Sequence, residues 1–179
     1  MPDVRLVSDL DLAFVNRFVR RLGLQLCIVP AVLPIPGSYW GAPEAGLIGS
    51  DLYARTDTPV HSLLHEAGHF VCMSDHRRAT LYVDAGGSDA QEEAVCYLQV
   101  LLADSVPAYG CDALFADMDA WRYSFRAGTA AAWFFTDATD AGRWLVERGI
   151  LSGSASHAKP AQMLRAAPVL SFEGVEKCL

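Results

Sequence analysis

The run His65-Glu66-Ala67-Gly68-His69 places two imidazoles and a carboxylate within five positions. On a helix, residues four apart share one face a single turn apart, so both histidines can reach one cation. A glutamate directly after the first histidine is the side chain that serves as general base in metallohydrolases of this pattern. The spacing therefore points to one divalent ion held by His65 and His69, with Glu66 as the catalytic acid/base. The competing reading is an ordinary core helix whose histidines are hydrogen-bonded in the interior.

A metal needs a further protein ligand, whether zinc with three ligands and an open position or iron with two histidines and one carboxylate. The donor is sought in the strongly apolar segment that begins Asp89-Ala-Gln-Glu92-Glu93 and ends at Ala103, a helix capped by Ser88 or Asp89. Glu93 shares a helical face with Tyr97, Val100 and Leu101, which points it inward and makes it the expected third ligand. Glu92 shares its face with Gln99 and is expected to be solvated. Standing against Glu93 as a ligand is the ordinary preference for an acidic residue in a helix's first turn. Spacing does not separate iron from zinc.

The elements that must position these groups can be read from caps and breakers. Thr58 and Pro59 suit the N-cap and first position of the histidine helix. Val60, Leu63, Leu64, Ala67, Phe70, Val71 and Met73 make that helix apolar around much of its circumference, hence buried. Gly68 costs roughly 1 kcal/mol relative to Ala in a helix interior, which makes sense if another backbone approaches there. Before it come a helix from Asp9 to Leu22 capped by Ser8, a strand from Leu24 to Val29, and a loop rich in Pro and Gly. One strand or two short ones follow over Leu47 to Arg55. After it, a strand is expected at Ala79 to Val83, then helices at Asp117 to Phe135, Asp140 to Arg148 and Pro160 to Ala167, with a loop at Ser152 to Ser156. The expected architecture is α+β, a mostly helical domain with a small sheet. It is one metal-binding domain over 1–179, made of an N-terminal part (1–58), the metal-site helices (59–104) and C-terminal helices (105–179).

With 179 residues the chain suffices for one well-cored domain and is short for two. A formal net charge of -7 without a Lys/Arg stripe speaks against direct nucleic-acid binding. Five cysteines without a CxxC pair read as the reduced thiols of a cytoplasmic protein. The apolar run from Leu22 to Pro36 is interrupted by prolines and too short to span a bilayer, so no membrane association is expected. The late Ala-rich segments suit tight helix packing or an oligomer interface.

Other residues invite a functional reading. His61 lies one turn before His65 and could be a fourth ligand or a hydrogen-bond partner of the ligands, although a position near the helix start more commonly leaves a histidine partly exposed. Arg77 and Arg78 could clamp an acidic substrate or pair with Asp84 and Asp75. Among the late aromatics, most of which read as core, Tyr123 and the nearby Arg126 could reach a ligand at the metal.

The two-histidine helix with a later glutamate resembles the zincin-like metalloproteins. A narrower pattern runs through Tyr39, Pro43, Ala45, Leu52, Ala54 and Ser62 ahead of His65-Glu66, and through Cys72, Arg77-Arg78, Val83-Asp84, Asp89-Ala90 and Glu93 behind it. It resembles the bacterial elongation factor P hydroxylase family. That resemblance implies an iron held by His65, His69 and Glu93, with Glu66 a second essential acid, and hydroxylation of a modified lysine on a translation factor. The chain departs from the family in a shorter turn between Asp84 and Asp89 and in the apolar stretch after Glu93. Two alternatives stay open: a zinc metallopeptidase or other hydrolase of the zincin type, and a non-catalytic metal-binding protein.

Overall fold

A computed structural model of the protein describes residues 3–151. Within them, a mostly helical α+β domain is built from seven helices and one three-stranded sheet. Helix α1 (Leu12–Arg21) is capped by Asp11, whose carboxylate accepts from Ala13 N at 2.8 Å. It buries Val15, Phe18 and Val19. Its start falls later than expected because Ser8 sits in a short 3-10 turn, Val7–Asp9, rather than capping the helix. Gly23, with φ +87°, then turns the chain into strand β1 (Gln25–Ile28).

The Leu47 to Arg55 segment resolves into two strands, β2 (Gly46–Ile48) and β3 (Asp51–Ala54). β3 is central, parallel to β1 and antiparallel to β2, giving the order β1-β3-β2. The outer edge of β2 is covered: Leu47 N donates to Gly37 O at 3.4 Å and Gly49 N to Leu81 O at 3.0 Å. Only glycines allow the covering segment to lie so close. A Cβ on Gly46 would collide with Pro36 O, and one on Gly37 would stand 2.7 Å from Leu47 O.

Helix α2 (Val60–Cys72) carries the histidines and is buried along most of its length. Pro59 occupies its N-cap. Thr58, expected to cap it, instead accepts from Arg55 N at 2.8 Å and closes the preceding turn. The expected strand at Ala79 to Val83 is not formed. Ser74 caps a short helix, α3 (Asp75–Thr80), and the guanidinium of Arg78 on it donates to Phe70 O at 2.8 Å and Val71 O at 3.0 Å. Those are last-turn carbonyls of α2, Phe70 O also accepting from Met73 N at 3.3 Å, so the guanidinium reinforces the helix end and pins the chain in a turn there.

Helix α4 (Asp89–Asp104) is capped by Ser88, whose side chain accepts from Gln91 N, and it packs on α2. Ala94, Val95, Tyr97, Leu98 and residues 100–103 bury it deeply. The expected helix from Asp117 to Phe135 is two helices, α5 (Gly110–Ala120) and α6 (Ala130–Thr136). The break has a local cause. Arg122 adopts φ +66°, Tyr123 N turns back to Met118 O, and Asp119 accepts from Ala130 N at 2.8 Å to start the next segment. Helix α7 (Thr139–Glu147) ends before Gly149 as expected and packs on α4. Buried Ala130, Ala138 and Ala141 show small residues serving helix packing. The expected loop at Ser152 to Ser156 and helix at Pro160 to Ala167 lie outside the described residues.

Candidate metal centre

Helical spacing alone brings His65 and His69 together, with their Nε2 atoms 3.1 Å apart and their rings perpendicular. The carboxylate that meets them is Glu92. Its Oε2 lies 3.4 Å from His69 Nε2 and 3.8 Å from His65 Nε2. Its other oxygen accepts from Gly87 N at 2.8 Å, which fixes the carboxylate's rotation. Two imidazole nitrogens and one carboxylate oxygen, all within 4.8 Å of one another, form a group able to hold a metal ion.

This corrects the assignment of Glu93, which is exposed. The face pairing of Glu92 with Gln99 holds, but that face turns toward α2 and not toward water. Gln99 is fully buried. Its Nε2 donates to His61 O at 2.7 Å, and its Oε1 lies 3.3 Å from His65 Nδ1. A polar residue in an otherwise apolar helix signalled a buried partner, not a solvated face.

Burial dominates the electrostatics. It lowers the pKa of His65, and it brings those of His61 and His69 down to about 3, so both stay neutral at physiological pH. Neutral imidazole is the form that ligates metal. His69 Nδ1 is buried without a partner among the described residues. Glu66 lines the same cleft, and burial, with Glu44 and Glu92 nearby, pushes its carboxyl up to about 8.

The cleft holds about 600 Å³. The carboxylates of Glu44, Glu66, Asp84 and Glu92 line it together with Tyr39, Trp40, Trp121 and Tyr123. Among the described residues, histidines aside, Arg122 is the only basic side chain in the lining. Trp121 Nε1 donates to Glu44 at 3.3 Å, and burial raises the pKa of Glu44. Glu44 and Trp121 carry no spacing signal, because loop and helix end meet only in the fold.

The remaining sequence candidates divide. His61 is buried rather than partly exposed, packs against Trp121 and Tyr123, and lies 3.4 Å through Nδ1 from the Tyr123 hydroxyl. It is outside the ligand group. Tyr123 borders the cleft beside His65. Arg126 instead faces solvent, paired with Asp137 at 2.7 Å. Arg78 pairs with Asp75 as expected, besides bonding α2. Arg77 donates to Gly86 O and so holds the turn that leads to Glu92. Cys72 and Cys96 are free thiols in helices α2 and α4. No described helix is long and apolar enough to cross a membrane. Compared with known protein families, curated proteins and solved structures, the chain shows no match.

Proposed function

We propose that this protein is a metal-dependent enzyme in which His65, His69 and Glu92 hold one divalent ion, iron or zinc, and Glu66 handles the proton. The observation that carries the reading is the meeting of three donors within 4.8 Å beside Glu66 in a cleft. When bound, such an ion would supply Lewis acidity or, as iron, redox chemistry with dioxygen. Glu66 keeps its proton at neutral pH in the absence of a cation and can deliver or recover it at the reacting centre. Trp121 and Tyr123 line the cleft beside the acid, while Tyr39 and Trp40 form an exposed rim.

The lining favours a substrate with a cationic group. Four acidic side chains, with Glu66 protonated and Arg122 as the one opposing base among the described lining residues, and an aromatic rim suit an amine through charge, hydrogen bonding and cation–π contact. This agrees with the modified lysine that the resemblance to elongation factor P hydroxylases implies, and with a protein substrate. A peptidase of the zincin type would pair its peptide along a strand edge beside the metal helix, and the covered edge of β2 supports that reading less. A non-catalytic metal protein has no need of a half-buried acid beside the ligands.

The deciding experiment is elemental analysis of protein purified anaerobically without added metal, beside a His65→Ala, His69→Ala variant. Near-stoichiometric iron lost in the variant supports the oxygenase reading and justifies an assay on a lysine-modified translation factor. Zinc in its place supports hydrolysis. No metal, or equal metal in both proteins, overturns the proposal.

A further inference from the structure

Gln99 stands opposite the metal helix with both ends of its amide engaged on α2. The carbonyl of His61 lies 2.7 Å from Nε2 and can only accept, so the amide nitrogen must face it. Turning the amide over would set two oxygens against each other in a site with no exposure. Oε1 is therefore the atom directed at His65, 3.3 Å from Nδ1. An amide oxygen cannot donate, so His65 must carry its proton on Nδ1. Its Nε2 is then a bare lone pair, and that atom lies 3.1 Å from His69 Nε2 and 3.8 Å from Glu92 Oε2.

We propose that Gln99 is a positioning residue: it fixes His65 in the Nδ1–H tautomer and aims its Nε2 lone pair into the ligand group before any ion arrives. The importance of this for metal binding rests on the reading of His65 as a ligand; the tautomer itself does not. The anchor is held at two points on α2, and the Tyr123 side chain meets the same amide from outside that helix. In an α-helix the carbonyl of residue 61 also accepts from the backbone N–H of residue 65, so Gln99 grips the turn that carries the ligand as well as the ring. His69 lacks an equivalent device, since its Nδ1 meets no partner among the described residues. In the metal-free protein its Nε2–H is the donor to His65 Nε2. Partners of this kind on ligating histidines affect metal affinity by about 10- to 100-fold.

The test uses the whole chain with ¹⁵N-labelled histidine, and Zn²⁺ as the probe. Nitrogen chemical shifts of the metal-free wild type should report His65 as Nδ1–H. Gln99→Leu, close in volume, should move His65 toward Nε2–H or a mixture and raise the Zn²⁺ dissociation constant about 10- to 100-fold. Gln99→Glu, whose protonated acid can donate to His61 O while its other oxygen accepts from His65, should restore both the tautomer and the binding relative to Gln99→Leu at a pH where that acid is neutral, which a loss of packing alone would not do. An Nε2–H tautomer in the wild type overturns the proposal, as does wild-type tautomer and affinity in Gln99→Leu. The wild-type measurement decides the matter even if a variant does not fold. Wild-type protein with His65 as Nδ1–H and no Zn²⁺ binding would instead overturn the metal reading and leave the role of Gln99 standing.

Discussion

Gly68 of α2 lies directly against Val95 of α4: a Cβ on Gly68 would stand 3.1 Å from Val95 Cγ1 and 3.5 Å from Val95 O. The two helices that carry the ligands thus touch at the position between them, one residue from His69 and three from Glu92. An alanine there gains about 1 kcal/mol of helix propensity but presses Val95 outward by a few tenths of an ångström. Gly68→Ala should therefore stay within about 1 kcal/mol of wild type in denaturant unfolding. Gly68→Val should lose about 1–3 kcal/mol through overpacking, and should lose metal affinity as α4 is pushed away. Unchanged stability and binding in Gly68→Val would mean that the helices are not in this register.

Glu92 and Glu93 are adjacent, and only Glu92 meets the histidines. Glu92→Ala should abolish stoichiometric metal, whereas Glu93→Ala should retain it, with metal-to-protein ratio as the readout. The reverse result would restore Glu93 as the ligand.

Metal-free protein should be most stable near pH 6.5. His61 and His69 have folded pKa values of about 3 against an ordinary 6.5 for the unfolded chain, so the stability they contribute is present above 6.5 and is lost as pH falls toward 3. Glu66 runs the other way. Its folded value of about 8 lies above the ordinary 4.5, so its contribution is present below 4.5 and is lost as pH rises through 8. Between 4.5 and 6.5 two histidines outweigh one carboxyl; above 6.5 only Glu66 remains of these three. Melting temperatures measured in chelator across this range check the maximum, and Glu66→Gln should flatten the decline on its alkaline side.

The basic residues near the site should separate by role. Arg78→Ala removes two hydrogen bonds to the end of α2 and a guanidinium 4.7 Å from the Phe70 ring centroid. It should destabilise by about 1–3 kcal/mol, read in urea. Arg126→Ala, on an exposed ion pair, should change stability by less than about 1 kcal/mol and leave metal binding unaltered. A drop in metal content for Arg126→Ala would place that side chain at the site after all.

The sequence by itself determined the histidine pair, the helix beneath it and the acid beside it, because helical periodicity is local and i, i+4 spacing suffices to bring two rings together. It also determined the turns at Gly23 and Gly149, the extended character of Leu47 to Arg55 and the apolar character of α4, while the division of that segment into two strands came from the fold. The third ligand was decided only by tertiary structure. Glu92 and Glu93 differ by about 100° around one helix, and which of them faces α2 depends on how α4 is rotated when it packs. Gln99 weighed the wrong way in sequence, since a lone polar residue usually marks the solvent side, whereas here the amide is buried to hold His65. Likewise the segment after α2 had strand-forming composition at Ala79 to Val83, but a strand needs a partner, and the end of α2 claimed Arg78 first. Glu44 and Trp121, 77 residues apart, meet only across the folded cleft.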